Sequence, residues 1–155
     1  MKVSVIMGST SDLEVMSAAF AVLDDFGIPY EKKVISAHRA PGLLAEFAQS
    51  ARDRGVGVII AGAGGAAHLA GVTAAYTSIP VIGVPICGKA FGGMDALLST
   101  VQMPSGIPVA TVAVNGAKNA ALLAVEILSL NDVDLVVKLE EFRAGQTRAI
   151  EETEI

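Results

Sequence analysis

The chain has 155 residues, a net charge of −5 and a hydrophobic content of 52%. That length suits one domain with one well-developed core, and no apolar run approaches the roughly 20 residues that span a bilayer. Nucleic acid is excluded as a general partner because no basic stripe exists to neutralise phosphates.

The lone cysteine, Cys87, rules out an internal disulfide framework and fits a reducing, cytoplasmic setting. Met1-Lys2-Val3 leads directly into a strand-like run, so no targeting segment is expected. Aromatic residues make up 5% and tryptophan is absent, which favours close packing of small side chains over a large aromatic pocket. A surface so apolar and poor in charge points to burial against copies of the same chain, and an oligomer is expected rather than a monomer.

The first element is a strand at Val3–Met7, followed by a helix from about Ser11 to Phe26. Val15, Ala19, Val22, Leu23 and Phe26 recur there at three- and four-residue steps, one helical face, and Gly27 and Pro29 end it. A second strand covers Tyr30–Ile35, and a second helix runs from about Pro41 to Arg54. Val58–Ala61 is unbrokenly apolar, the pattern of a strand buried on both faces. A small-residue helix is expected from about Ala66 to Ala75, then a strand at Pro80–Pro85. A helix at about Met94–Gln102, a strand at Val109–Val114 and a helix at Asn119–Leu128 come next. An amphipathic helix from Asp132 to about Glu151 closes the chain. Strands alternating with helices predict a doubly wound α/β fold with a five-stranded parallel sheet. No linker interrupts the pattern, so residues 1–155 are expected to form one domain.

In such a sheet the segments after the strands converge on one edge, where open α/β sheets bind their ligands. The first is Gly8-Ser9-Thr10-Ser11-Asp12, whose hydroxyls and free amides at a helix start suit a phosphate. Asp12 fits two roles, a helix cap or an acceptor for ribose hydroxyls. The second is Ser36-Ala37-His38-Arg39. Arg39 can grip a phosphate bidentately, and His38 is the best proton carrier at hand. The third is Gly62-Ala63-Gly64-Gly65-Ala66-Ala67-His68, whose small residues serve either a flat ligand or close helix-to-strand packing. His68 likewise fits a structural role or a ligand contact. Gly88–Asp95 forms a glycine-rich loop, suited to a lid or a subunit contact, and Cys87 is expected to be a small buried apolar residue. Gln102-Met103-Pro104 and Asn115–Asn119 complete the edge.

Other chemistries lack their residues. There is no zinc-ligand spacing, no Gly-x-Ser-x-Gly elbow, no dinucleotide Gly-x-Gly-x-x-Gly and no Walker loop. The acidic cluster of a phospho-receiver and the aromatic residues of a flavin sandwich are also missing.

With these segments in place, the chain closely resembles the 5-(carboxyamino)imidazole ribonucleotide mutases of purine biosynthesis. The match takes in the three turns above, Pro80–Pro85, Asp95 with Leu97-Leu98-Ser99, and Val101-Gln102-Met103-Pro104. It ends with Pro108–Ala113 and Asn119–Ala124, so it spans nearly the whole chain in order. The resemblance implies a flavodoxin-like three-layer α/β/α sandwich assembled as a homo-octamer, with the C-terminal helix (about 132–151) packed on a neighbouring subunit. It implies transfer of a carboxylate from an exocyclic nitrogen to C4 of an aminoimidazole ribonucleotide, without cofactor or metal. By the same resemblance His38 is the general acid-base, Ser9, Ser11, Ser36 and Arg39 hold phosphate, and Asp12 holds ribose. Gly64 and His68 then lie beside the base and the migrating carboxylate.

The sister class, which carboxylates aminoimidazole ribonucleotide directly, has lysine after its histidine and lacks Gly-Ala-Gly-Gly in the third turn. Arg39 and Gly62–Ala67 therefore favour the mutase. Ala70, Val72, Ala96 and Cys87-Gly88-Lys89 depart from the usual pattern and are expected near the loop and helix around the base. A nucleotide-binding module without catalysis is the competing reading.

Overall fold

A computed structural model of the chain describes residues 1–154. Five strands, β1 (Lys2–Met7), β2 (Tyr30–Val34), β3 (Val56–Gly64), β4 (Val81–Ile86) and β5 (Ala110–Thr111), form one sheet in the order β2-β1-β3-β4-β5. All neighbouring pairs are parallel. The helices are α1 (Leu13–Phe26), α2 (Pro41–Gln49), α3 (Leu69–Ala75), α4 (Met94–Val101), α5 (Ala117–Ser129) and α6 (Val133–Glu151).

Side-chain alternation builds the layers. Val3, Val5 and Met7 of β1, with Val58 and Ile60 of β3, pack under α1 and α5. Ile6 of β1, with Ile59 and Ala61 of β3, faces the opposite way, onto α2 and α3. Helices thus cover both faces, which is the flavodoxin-like sandwich and explains why β3 and β4 are apolar throughout. α6 lies outside α5, anchored by buried Leu135 and Leu139 and by the Lys138 ammonium, which donates to the Phe26 carbonyl at 2.8 Å.

Several boundaries differ from the sequence expectation for local reasons. A 3₁₀ turn, Thr10–Asp12, precedes α1, because the Ser9 and Asp12 side chains each bind the other's backbone in a capping box. α2 stops at Gln49 rather than Arg54. The Ser50 hydroxyl donates to the Glu46 carbonyl at 2.7 Å, competing with the helix ladder. β3 stays paired with β4 through Gly64↔Ile86, so α3 begins at Leu69 instead of Ala66. β5 keeps only two residues of the expected six. Pro85 turns its backbone toward β5, where its carbonyl accepts from the Asn115 N–H, but it has no N–H of its own to extend the ladder. No helix among the described residues is long and apolar enough to cross a membrane.

Register lines up the strand ends: Met7 pairs with Val34 on one side and Gly62 on the other, and Gly64 pairs with Ile86. The turns after β1, β2, β3 and β4 therefore leave the sheet at one edge. Between β1 and β3 the chain departs to opposite faces, α1 to one and α3 to the other, which opens a crevice.

Candidate active site

A cavity of about 620 Å³ occupies that crevice. The turn after β1 supplies Ser9, Ser11 and Asp12 to its wall, and the turn after β2 supplies Ser36, His38 and Arg39. Gly64 and His68 line it from the third turn. All eight residues singled out in the sequence thus meet at one place.

The β1 turn is organised by its own side chains. The Ser9 N–H donates to the Asp12 carboxylate at 2.9 Å, the Ser11 N–H donates to the Ser9 Oγ at 3.3 Å, and the Ser11 hydroxyl lies 3.0 Å from the same oxygen. Asp12 is only 8% exposed. Burial raises its carboxyl above the ordinary aspartate value, against hydrogen bonds from the Ser9 backbone, the Ser11 hydroxyl and the Gly8 backbone that pull the other way. Both expected roles are compatible with this position: Asp12 caps the 3₁₀ turn and still lines the cavity.

The β2 turn is tied to the first. Arg39 donates from its backbone N–H and from Nε to the Ser36 Oγ, both at 3.2 Å, and from Nη2 to the Gly8 carbonyl at 3.2 Å. The guanidinium is thereby fixed beside the hydroxyls of Ser9 and Ser11, a concentration of donors suited to a phosphate monoester. His38 reaches across to the third turn, where its Nε2 lies 2.8 Å from the Nδ1 of His68. The rings meet edge to face with centroids 5.0 Å apart. At that separation one nitrogen donates and the other accepts, so the two imidazoles share a single hydrogen. His68 immediately precedes α3 and makes no cap bond to it, so its ring is directed to His38 rather than to the helix.

Gly64 serves packing as well as the cavity. A Cβ there would sit 3.1 Å from the Ile86 carbonyl oxygen, so any larger residue would press the β4 backbone back by a few tenths of an ångström. Gly62 is tighter still, since an added Cβ would meet the Met16 sulfur at 2.3 Å.

One expectation is corrected. Cys87 is exposed on the cavity rim rather than buried, because β4 ends at Ile86 and residue 87 is the first to leave the sheet. Ala70, Val72 and Ala96 do not line the cavity. Ala70 and Ala96 are core residues of α3 and α4, and Val72 packs against the same core. Of the departures from the usual pattern, only Cys87-Gly88-Lys89 borders the cavity. Gly88 and Lys89 open the Gly88–Asp95 loop, for which the sequence suits a lid or a subunit contact, and both line the cavity. Asn115 is a further supporting residue: its Oδ1 accepts from the Cys87 N–H at 2.9 Å. Among the described residues no group of three or more His, Cys, Asp or Glu side chains is placed to hold a metal ion.

A sequence model of the AIR carboxylase family matches residues 2–149. The chain is 63% identical over 147 residues to the N5-carboxyaminoimidazole ribonucleotide mutase of Pyrococcus abyssi, covering 95% of this chain and 84% of that one. It is 58% identical over 153 residues to the Bacillus subtilis protein of the same name, covering 97% and 94%. The crystal structure of Treponema denticola PurE superposes with a TM-score of 0.88 at 31% identity, covering 97% of this chain and 94% of that one.

Proposed function

The chain belongs to the AIR carboxylase family, and we propose that it is an N5-carboxyaminoimidazole ribonucleotide mutase, an isomerase of purine biosynthesis acting without a cofactor. The observation that carries the reading is the meeting of phosphate-type donors (Ser9, Ser11, Ser36, Arg39) with the His38–His68 pair on one cavity. The 58–63% identity to proteins of that name supports the same assignment.

In this reading the nucleotide phosphate lies among Ser9, Ser11, Ser36 and Arg39, the ribose diol at Asp12, and the base between Gly64 and His68. His38 is the general acid-base. As the exocyclic N–carboxylate bond breaks and carbon dioxide leaves, His38 gives a proton to the nitrogen. C4 then attacks the carbon dioxide, and His38 takes the proton that C4 loses, which returns the imidazole to its starting form. Holding both fragments in one crevice replaces a bimolecular encounter. His68, in hydrogen-bond contact, fixes the ring orientation of His38.

The setting is a reducing cytoplasm, as the lone exposed thiol Cys87 suggests. The working unit is a homo-octamer, with α6 packed against a neighbouring subunit. Leu130 at the end of α5 and Val133 at the start of α6, 81% and 77% exposed, and Phe91, 81% exposed before α4, are the apolar surface such an assembly would cover.

The carboxylase alternative differs in the source of the carboxyl carbon. The test supplies the N-carboxylated ribonucleotide together with isotopically labelled bicarbonate. Unlabelled product is expected; product labelled as heavily as the solution would overturn the mutase assignment.

A further inference from the structure

Arg39 and Lys89 are the two side chains of permanent positive charge among the residues that line the cavity. Arg39 follows β2 and Lys89 follows β4, three strand positions away in the order β2-β1-β3-β4. Strand spacing makes that about 14 Å across the sheet edge. Arg39 is engaged by Ser36 and Gly8, beside the hydroxyls of Ser9 and Ser11. Lys89 has no hydrogen bond or ion pair among the described residues, while its loop is held at both ends. The Cys87 N–H is fixed by the Asn115 side chain, and Phe91, Gly92 and Gly93 turn the chain through three successive left-handed conformations, φ 56°, 58° and 86°. Gly93 is buried, and a Cβ on it would meet the Val114 side chain at 2.6 Å, so the exit of the loop is closely packed. The ammonium is thereby tethered to the rim without a partner of its own.

The substrate class carries two anionic ends, a phosphate and a carboxylate, in a protein whose net charge is −5. Each end needs a local cation, because the overall field repels both. We infer that Lys89 binds the migrating carboxylate, pairing with it both on the exocyclic nitrogen and on C4, while Arg39 keeps the phosphate. This rests on the mutase reading above and adds a residue to it. A point charge on a flexible stem suits the task, because the carboxylate changes position during the reaction and an ammonium imposes no fixed fork geometry.

The test compares two ligands by calorimetry: aminoimidazole ribonucleotide, which has the phosphate alone, and its 4-carboxylated form. Lys89→Met is expected to bind the first as the parent does and the second about 10- to 100-fold more weakly, the size of a charge-assisted hydrogen bond. In turnover it is expected to release more decarboxylated nucleotide per product formed, and Lys89→Arg is expected to restore most of the affinity difference. Equal weakening of both ligands, or no weakening of the carboxylated one, overturns the role of Lys89 while leaving the mutase reading standing. Parent protein that binds neither nucleotide overturns the site assignment itself, and the Lys89 role with it.

Discussion

His38 and His68 share one hydrogen across 2.8 Å, and this contact gives the proposed proton carrier a defined orientation. His38→Asn is expected to lower turnover by about 100- to 10,000-fold, the usual value of a positioned acid-base, while nucleotide binding stays measurable. Near-normal turnover in that variant would remove His38 from the reaction. Asp12 makes a different prediction. Its carboxyl is raised above 3.8, chiefly by burial. A folded-state value above the unfolded one means the favourable contribution is complete below about 3.8 and is lost as pH rises through the folded value. At neutral pH the ionised Asp12 therefore costs stability, which is tolerable where a charge is kept for a ligand. Asp12→Asn should be more stable than the parent in urea at pH 7, with an advantage that shrinks toward pH 4, and should bind nucleotide more weakly. An advantage that grows in acid would contradict the burial argument. At this scale the sequence showed the polar triplets plainly, because hydroxyl, imidazole and guanidinium groups are conspicuous at the end of an apolar strand. It did not show Cys87 on the rim, since a cysteine after an apolar run reads as more of the run until the last paired residue, Ile86, is located.

At the scale of elements, the edge strand β2 is fastened to β1 and to the segment that follows α2 by one carboxylate. Glu31 accepts from the Lys2 ammonium at 2.6 Å, from the fully buried Ser4 hydroxyl and from Arg54 Nη2 at 3.2 Å. Burial acts to raise its carboxyl, but the hydrogen bonds from Lys2, Ser4 and Arg54, with the Arg54 charge, hold it below 4.5. A depressed folded value means this stabilisation is present above about 4.5 and is lost as pH falls through the folded value. Glu31→Gln should therefore lose less stability than the parent between pH 6 and pH 3, read by thermal unfolding, and should start about 1–3 kcal/mol less stable. A parallel fall in the two proteins would show that Glu31 is not the acid-sensitive group. The glycines of β3 set a second requirement. Gly62→Ala drives a methyl into Met16, which is fully buried, and should cost about 1–3 kcal/mol in denaturant unfolding. The sequence left open whether this glycine run serves ligand or packing. At Gly64 the strand pairing that leaves no room for a side chain also brings the backbone to the cavity. The length of β5 was hidden for a related reason: the missing N–H that stops it belongs to Pro85 on the neighbouring strand.

For the whole molecule, the octamer is proposed from the family resemblance, and exposed apolar residues such as Val133 of α6 and Phe91 before α4 are surface that it would cover. Sedimentation is expected to give a mass near eight times the 15.8 kDa chain. The double variant Leu130→Asp and Val133→Asp should lower that mass without unfolding the exposed junction of α5 and α6. A parent protein that sediments as a monomer would dismiss the assembly.

The sequence by itself determined the alternation of strands and helices, the parallel sheet, and the polar turns that carry Ser9, Asp12, His38, Arg39 and His68. Apolar period and turn chemistry are local properties and are written residue by residue. Tertiary structure decided which turns touch. The 2.8 Å contact of His38 with His68, the hold of Arg39 on the Gly8 carbonyl and the arrival of Lys89 on the same cavity depend on strand order and register. Those are fixed by packing between segments 30 or more residues apart, and no local pattern in the chain encodes them.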